Sequence, residues 1–319
     1  MNKKAIASLV LLCITAAGIG FYLKHNPGLI GYLRNISPWN MILLFLVSVT
    51  TLATNGLCLR IFAKKFSICL KWKEWLGLAS VTAMGNYLTP FSGGLVARAA
   101  YLKHRYDLPY AHFLALLAAH YMIAFAVISV TGTVTLLTLT GAGSFSWPVL
   151  LFFLATLSTV LLISYVPSIA AGKQHRLLRL VQPALEGFDI VRRDGALWGK
   201  LIALTFFNIA AGGLLYFMAF ASIGFAVPFT VALLIYLLTS FTILINITPG
   251  NLGVQEAAAS LAAAILGAGA DQGLLAALIV RAVTILSAFA LGPIFSYLLS
   301  KELTKDPGRK PLNFSFTAD

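Results

Sequence analysis

Six stretches of this chain, residues 5–23, 40–63, 109–139, 147–169, 197–223 and 274–299, run for close to 20 residues or more with few or no charges. A run of that kind is an α-helix long enough to cross a hydrocarbon core of about 30 Å. Away from water the backbone N–H and C=O groups have only one another as partners, so the chain is expected to be an all-α polytopic membrane protein. Composition agrees, because 59% of residues are hydrophobic and 10% charged, a balance that a soluble domain does not keep. The 23 Lys and Arg against 10 Asp and Glu give a net charge of +13. In a soluble protein that excess would point to nucleic acid. Here the basic residues cluster between apolar runs, so they read as topology signals and contacts with anionic lipid head groups, and no nucleic-acid partner is expected. Cys13, Cys58 and Cys69 are odd in number, lie in or beside apolar segments and lack zinc-site or disulfide spacing. They are read as packing residues, with no metal or cofactor.

Charge placement orients the spans. Lys3 and Lys4 before the first run resemble a signal peptide, but the run is long and no small-residue cleavage site follows, so an uncleaved signal anchor is expected. Arg60, Lys64, Lys65, Lys71 and Lys73 place the next loop in the cytoplasm, and with it the N-terminus. The loop at 140–146 and the one through Pro228 carry no charge, as outer loops should, and the tail with Lys301, Lys305, Arg309 and Lys310 returns inside. Between the halves lie Lys173, Arg176, Arg179, Arg192, Arg193 and Lys200, with Leu177, Val181, Ala184 and Phe188 on one helical face, the pattern of an interfacial helix kinked at Pro183. The expected organisation is a signal-anchor span and outer loop (1–39), a first half (40–169), a basic cytoplasmic linker (170–196), a second half (197–299) and a cytoplasmic tail (300–319), multi-pass in the inner membrane.

Each half holds one apolar stretch that is cut short. Residues 75–88 would make a helix of only about 21 Å before Thr89-Pro90, where proline disfavours helix in the residue ahead of it. Gly93 and Gly94 then allow a sharp change of direction, and Arg98 follows. An abbreviated copy returns as Thr248-Pro249-Gly250-Asn251-Leu252-Gly253, with Glu256 in place of the arginine. Each copy fits a re-entrant broken-helix hairpin, the first dipping from the cytoplasm and the second from outside. About six full spans plus two such hairpins then form an inverted repeat, the architecture in which broken helices mark a transport site near the midplane. The alternative is that both motifs are ordinary loops with no pore.

Three charges fall at membrane depth: Arg98, Glu256 and Arg281. A lone charge there costs from about 3 to more than 10 kcal/mol, so a bridge from Glu256 to Arg98 or to Arg281 is expected. Two arginines against one carboxylate leave a positive excess, and a phosphate is its natural occupant because guanidinium donors match phosphate oxygens bidentately. Asn86, Ser92, Asn246 and Asn251, with backbone N–H groups freed at the breaks, would add donors. His120 and Tyr121 fall mid-span and could face the same cavity. Phe91-Ser92-Gly93 is only weakly similar to the serine motif of a rhomboid protease, since Pro90 stands where that family's first glycine belongs. No Walker loop or acid-rich metal cluster appears, so the chain is not expected to be an enzyme.

In these motifs the chain resembles the flippase-like transmembrane region of the lysylphosphatidylglycerol synthases and its stand-alone relatives. The first half carries the family's proline, Gly-rich turn and arginine as Pro90, Gly93, Gly94 and Arg98; the second carries Pro249, Gly250, Gly253 and Glu256, then Arg281. The chain departs from the pattern at Asn251, where a second glycine is usual. No cytosolic aminoacyl-transferase domain is expected after the last span, so lipid aminoacylation is not implied. What the resemblance implies is movement of a phospholipid, glycolipid or polyprenyl-phosphate carrier between leaflets. Arg98 and Arg281 would then hold the head group, and Glu256 would neutralise the empty site. Its partners would be anionic lipids and a lipid-synthesis enzyme. The competing readings are a membrane enzyme acting on a lipid-linked substrate and a non-transporting scaffold for a lipid synthase.

Overall fold

The computed structural model describes residues 37–89, 91–139, 145–170 and 195–304. Among them every regular element is a helix: α1 (Pro38–Lys64), α2 (Trp72–Leu88), α3 (Gly93–Tyr106), α4 (Tyr110–Leu137), α5 (Trp147–Ala170), α6 (Gly195–Ser222), α7 (Phe229–Ser240), α8 (Val254–Ile265) and α9 (Ala270–Thr304), with short 3-10 turns at Phe241–Ile245 and Pro249–Asn251. Four of these, α1, α4, α6 and α9, are long and apolar enough to cross a membrane over Pro38–Lys64, Tyr110–Leu137, Gly195–Ser222 and Ala270–Leu303. The expected run at 5–23, the linker helix with its kink at Pro183 and the tail beyond Thr304 lie outside the described residues, while α5 is helical over 24 residues and apolar. The protein is a multi-pass helical membrane protein.

The buried apolar residues divide into two clusters along the helix axes. One joins Leu44 of α1, Leu136 of α4, Phe153 of α5, Phe220 of α6, Ile235 of α7, Ala263 of α8 and Leu275 of α9. The other joins Phe62 of α1, Leu78 of α2, Leu102 of α3, Phe113 of α4, Leu201 of α6 and Leu299 of α9. Charge follows the same division. Around the second cluster lie Arg60, Lys64, Lys65, Lys71, Lys73, Lys103, Arg105, Lys200 and Lys301; at the opposite end, among the described residues, only Asp271 is charged. In between, small and hydroxyl-bearing residues let helices approach and supply polar contacts across them. Ser48 of α1 hydrogen-bonds Ser287 of α9 at 2.8 Å, and Asn208 of α6 donates to the Thr51 carbonyl of α1 at 3.1 Å.

The two interrupted segments are helical hairpins. In the first, α2 and α3 lie against each other so closely that a Cβ on Gly94 would enter the Thr82 carbonyl oxygen, and one on Gly93 would enter the Thr89 hydroxyl. This corrects the expected role of the pair. The chain reverses at Phe91 (φ 54°) and Ser92 (φ 58°), two non-glycine residues in the left-handed region, while Gly93 and Gly94 already belong to α3 and are glycine for want of space. Pro90 lies outside the described residues. At the basic end Glu74, 2% exposed, ties the hairpin shut. It accepts hydrogen bonds from the Lys71 N–H at 2.8 Å and from the hydroxyls of Tyr101 at 3.1 Å and Tyr106 at 2.7 Å.

In the second hairpin α7 ends at Ser240 and tightens into 3-10 turns before the chain reverses through Gly250 (φ 60°), Asn251 (φ 60°) and Gly253 (φ 89°). Asparagine is among the non-glycine residues that take this conformation most readily, so Asn251 holds the turn at little cost. Its Nδ2 donates to the Thr242 carbonyl at 2.9 Å and closes the turn. Thr248 donates to the Leu252 carbonyl at 2.9 Å. Buried backbone acceptors freed by the break are thus taken up within the protein, as hydrocarbon surroundings require.

Gly94→Ala is expected to destabilise the protein by at least the 1–3 kcal/mol typical of overpacking, about the loss of one hairpin contact layer, read as a lower thermal-denaturation midpoint in detergent. Gly199 in α6 faces open space, so Gly199→Ala should leave the midpoint unchanged or raise it slightly.

Candidate functional site

The two breaks meet. Ser92, beside the first, accepts a hydrogen bond from Nδ2 of Asn246, beside the second, at 2.5 Å. Tyr87, the penultimate residue of α2, packs its ring on Gly250, where any side chain would overlap it. The tyrosine hydroxyl continues to Thr284 of α9 at 3.0 Å. Between the breaks and the middles of α1, α4 and α6 lie two adjoining chambers. One, of about 240 Å³, is walled by Thr82, Asn86, Ser92 and Arg98. The other, of about 430 Å³, is walled by Asn208, Tyr236, Gln255, Asn251 and Arg281. Asn55, Asn86, His120, Tyr121, Ile243 and Asn246 belong to both, so the space is continuous. Asn55 and Ile243 are exposed, which leaves it open to the outside of the protein.

The membrane-depth charges are treated differently. Glu256, 2% exposed, pairs with Arg281, 9% exposed, at 2.6 Å between Oε1 and Nε; of the two bridges expected, this is the one formed. The other carboxylate oxygen accepts the Gly253 N–H at 2.8 Å, so Glu256 caps α8 while it neutralises the arginine. Arg281 lies eleven residues into α9, about a turn deeper than the sequence spacing placed it, because α9 begins at Ala270. Its guanidinium has five N–H groups, and five acceptors surround them. Besides Glu256 these are the Gly250 carbonyl at 2.5 Å, Gln255 Oε1 at 2.9 Å, and more distantly the Asn251 carbonyl at 3.4 Å and the Tyr87 hydroxyl at 3.5 Å. Tyr87 also presents its ring face 5.7 Å from the guanidinium carbon. In this conformation Arg281 is a clasp on the second break and has no donor to spare.

Arg98 stands in contrast. Its Nε donates to the Thr82 hydroxyl at 2.8 Å, which in turn donates to the Leu78 carbonyl at 2.5 Å. No carboxylate among the described residues comes within ion-pair distance, and the two terminal nitrogens make no hydrogen bond. A guanidinium in that state, half-buried in a cavity wall, has donors free for an acceptor from outside the protein. Close by, the side-chain oxygens of Asn86 and Asn246 are buried without a hydrogen-bond donor, as is that of Asn251 near Arg281. His120 and Tyr121 line both chambers, their rings 5.8 Å apart, and no hydrogen bond joins His120 to Ser92. Among the described residues no group of three or more His, Cys, Asp or Glu side chains could hold a metal.

Of the residues singled out by sequence, Asn86, Ser92 and Arg98 share the first chamber and Asn251 and Arg281 the second. Thr89, Thr248 and Pro249 shape the breaks: the Thr89 hydroxyl donates to the Gly85 carbonyl at 2.6 Å, and Thr248 and Pro249 are buried. Sequence reasoning passed over Asn55, Asn208, Gln255 and Tyr87. An amide in the middle of an otherwise apolar span, as at Asn55 and Asn208, is the signal that would have found two of them.

A helical membrane protein with two broken segments meeting at a polar cavity is the class these features define. The family model described as lysylphosphatidylglycerol synthase TM region matches residues 5–292, and the chain belongs to that family. A search among curated proteins returns no match.

Glu256→Gln strands a buried guanidinium and is expected to lower stability by about 3–5 kcal/mol. Arg98→Gln removes a charge with no counter-ion and should leave stability equal or higher. Thermal or SDS denaturation of the purified variants in detergent separates the two, and equal losses would mean that the ion-pair assignment is wrong.

Proposed function

We propose that the protein moves an anionic, phosphate-bearing lipid between leaflets, with the head group held in the cavity between the two breaks. The observation that carries this reading is Arg98, a cation with four unengaged N–H groups in the wall of a polar cavity, set in a chain of the lysylphosphatidylglycerol synthase TM region family. A phosphate accepts from a guanidinium bidentately, and the free terminal nitrogens offer that fork. The orphaned oxygens of Asn86, Asn246 and Asn251 ask for donors, which hydroxyls on a glycerol or sugar head group would supply. Acyl chains stay in the bilayer while the head group crosses.

Glu256 and Arg281 support the site rather than fill it. The carboxylate holds Arg281 on the break, so the cavity presents one net positive charge, from Arg98, to an arriving lipid. Arg281 joins the phosphate contact only if Glu256 lets go. The chain carries no nucleotide-binding motif, so an ion gradient or the lipid gradient supplies the driving force. The cluster of basic residues at one end of the bundle supports an orientation with that end in the cytoplasm, as in a bacterial-type inner membrane.

The test is leaflet exchange of a labelled anionic phospholipid in liposomes holding the purified protein. Exchange without a covalent product is expected, reduced at least tenfold by Arg98→Gln, which removes about 1.5–3 kcal/mol of charge-assisted hydrogen bonding, and partly kept by Arg98→Lys. A new lipid product would instead establish catalysis, and neither exchange nor product would leave the scaffold reading.

A further inference from the structure

A third cavity, of about 600 Å³, lies apart from the central one, where α1 ends and α6 begins. Arg60, Lys64, Lys65 and Lys200 converge on it, and its apolar wall includes Leu57, Ile61, Ile68, Leu70 and Leu197. Arg60 and Lys64 stand one turn apart on the same face of α1, an arrangement in which like charges repel. Neither they nor Lys200 pair with a carboxylate among the described residues. Leu57 and Ile61 repeat at the same spacing one position away, so the charged and greasy faces of α1 run side by side into the cavity. α1 divides the two cavities: Asn55, Cys58 and Leu59 face the central one, and Leu57, Arg60, Ile61 and Lys64 face this one.

We propose that this cavity is a second lipid site, which seats the phosphodiester of an anionic phospholipid from the adjoining leaflet among Arg60, Lys64 and Lys200, with the start of an acyl chain against Ile61 and Leu197. Charge complementarity selects the occupant. Arg60, Lys64 and Lys200 have no counter-ion among the described residues, the wall beside them is apolar, and anionic lipid is the one abundant partner that offers both faces at a membrane surface. Cations placed between helices at a membrane face are suited to this use, and the phosphate relieves the repulsion between Arg60 and Lys64. The site does not depend on transport through the central cavity.

Cys69 is exposed and lines this cavity, whereas Cys58 is buried, so maleimide reactivity of Cys69 reports occupancy in a Cys13→Ser background, with Cys69→Ser marking the unspecific signal. In nanodiscs of zwitterionic lipid the thiol is expected to react severalfold faster than in nanodiscs containing phosphatidylglycerol. Lys64→Gln with Lys200→Gln should weaken that protection by about thirtyfold in lipid concentration, since it removes two of the cations facing the phosphate. Native mass spectrometry should show one fewer anionic phospholipid retained by the Lys64→Gln, Lys200→Gln variant than by the parent protein, whereas the lipid of this cavity stays on Arg98→Gln. Equal reactivity in the two bilayers, equal protection by inorganic phosphate alone, or protection that survives the double substitution would each overturn the proposal. Loss of leaflet exchange in Arg98→Gln with protection of Cys69 intact separates this site from the central one.

Discussion

Arg281 is the point on which both broken helices depend. A helix interrupted in a membrane exposes carbonyl and amide groups that lipid cannot satisfy, each costing several kcal/mol if left alone. The guanidinium answers with five donors in a fixed plane, taking up the Gly250 and Asn251 carbonyls of the second break and the Tyr87 hydroxyl beside the first. That concentration of charge is itself tolerable only because Glu256 sits 2.6 Å away. Glu256 in turn is held by the N-terminus of α8, whose backbone it caps. Ion pair, helix start and chain reversal therefore form one unit, and no member can be removed without stranding another.

The central cavity is the consequence. Because the breaks are stabilised from within the protein, the space between them and α1, α4 and α6 need not be filled by backbone, and it collects amides, hydroxyls and one uncompensated arginine. The difference between Arg98 and Arg281 is one of surroundings rather than residue type. One faces a threonine hydroxyl and open space, the other a carboxylate and a cage of oxygens. Family membership and a polar cavity support the proposal of a lipid head group as the cargo, and under that proposal Arg98 is the arginine with donors free to receive it.

Asn251 shows how a polar residue serves a tight turn. The position needs a left-handed backbone, and asparagine adopts it at little cost while its side chain donates a hydrogen bond to the Thr242 carbonyl. Its other amide atom is left without a donor at the edge of the second chamber. A polar residue at this turn therefore belongs to the site as much as to the fold.

Helical class, the membrane setting, the presence of an interruption in each half and three charges within the apolar stretches were legible in the residues. Each follows from a local rule: run length against hydrocarbon thickness, proline and glycine against helix, and the cost of a charge away from water. The sequence also left the pairing of Glu256 open between two arginines, misread Gly93 and Gly94 as the turn itself, and passed over Asn55 and Asn208. These were settled by contacts between segments far apart in the chain. Gly94 is glycine because the Thr82 carbonyl of the other arm occupies the space a side chain would take, and Arg281 rather than Arg98 meets Glu256 because α9 packs directly against α8. Which charge is neutralised and which is left to bind is a matter of distance, and distance between helices is decided only when they pack.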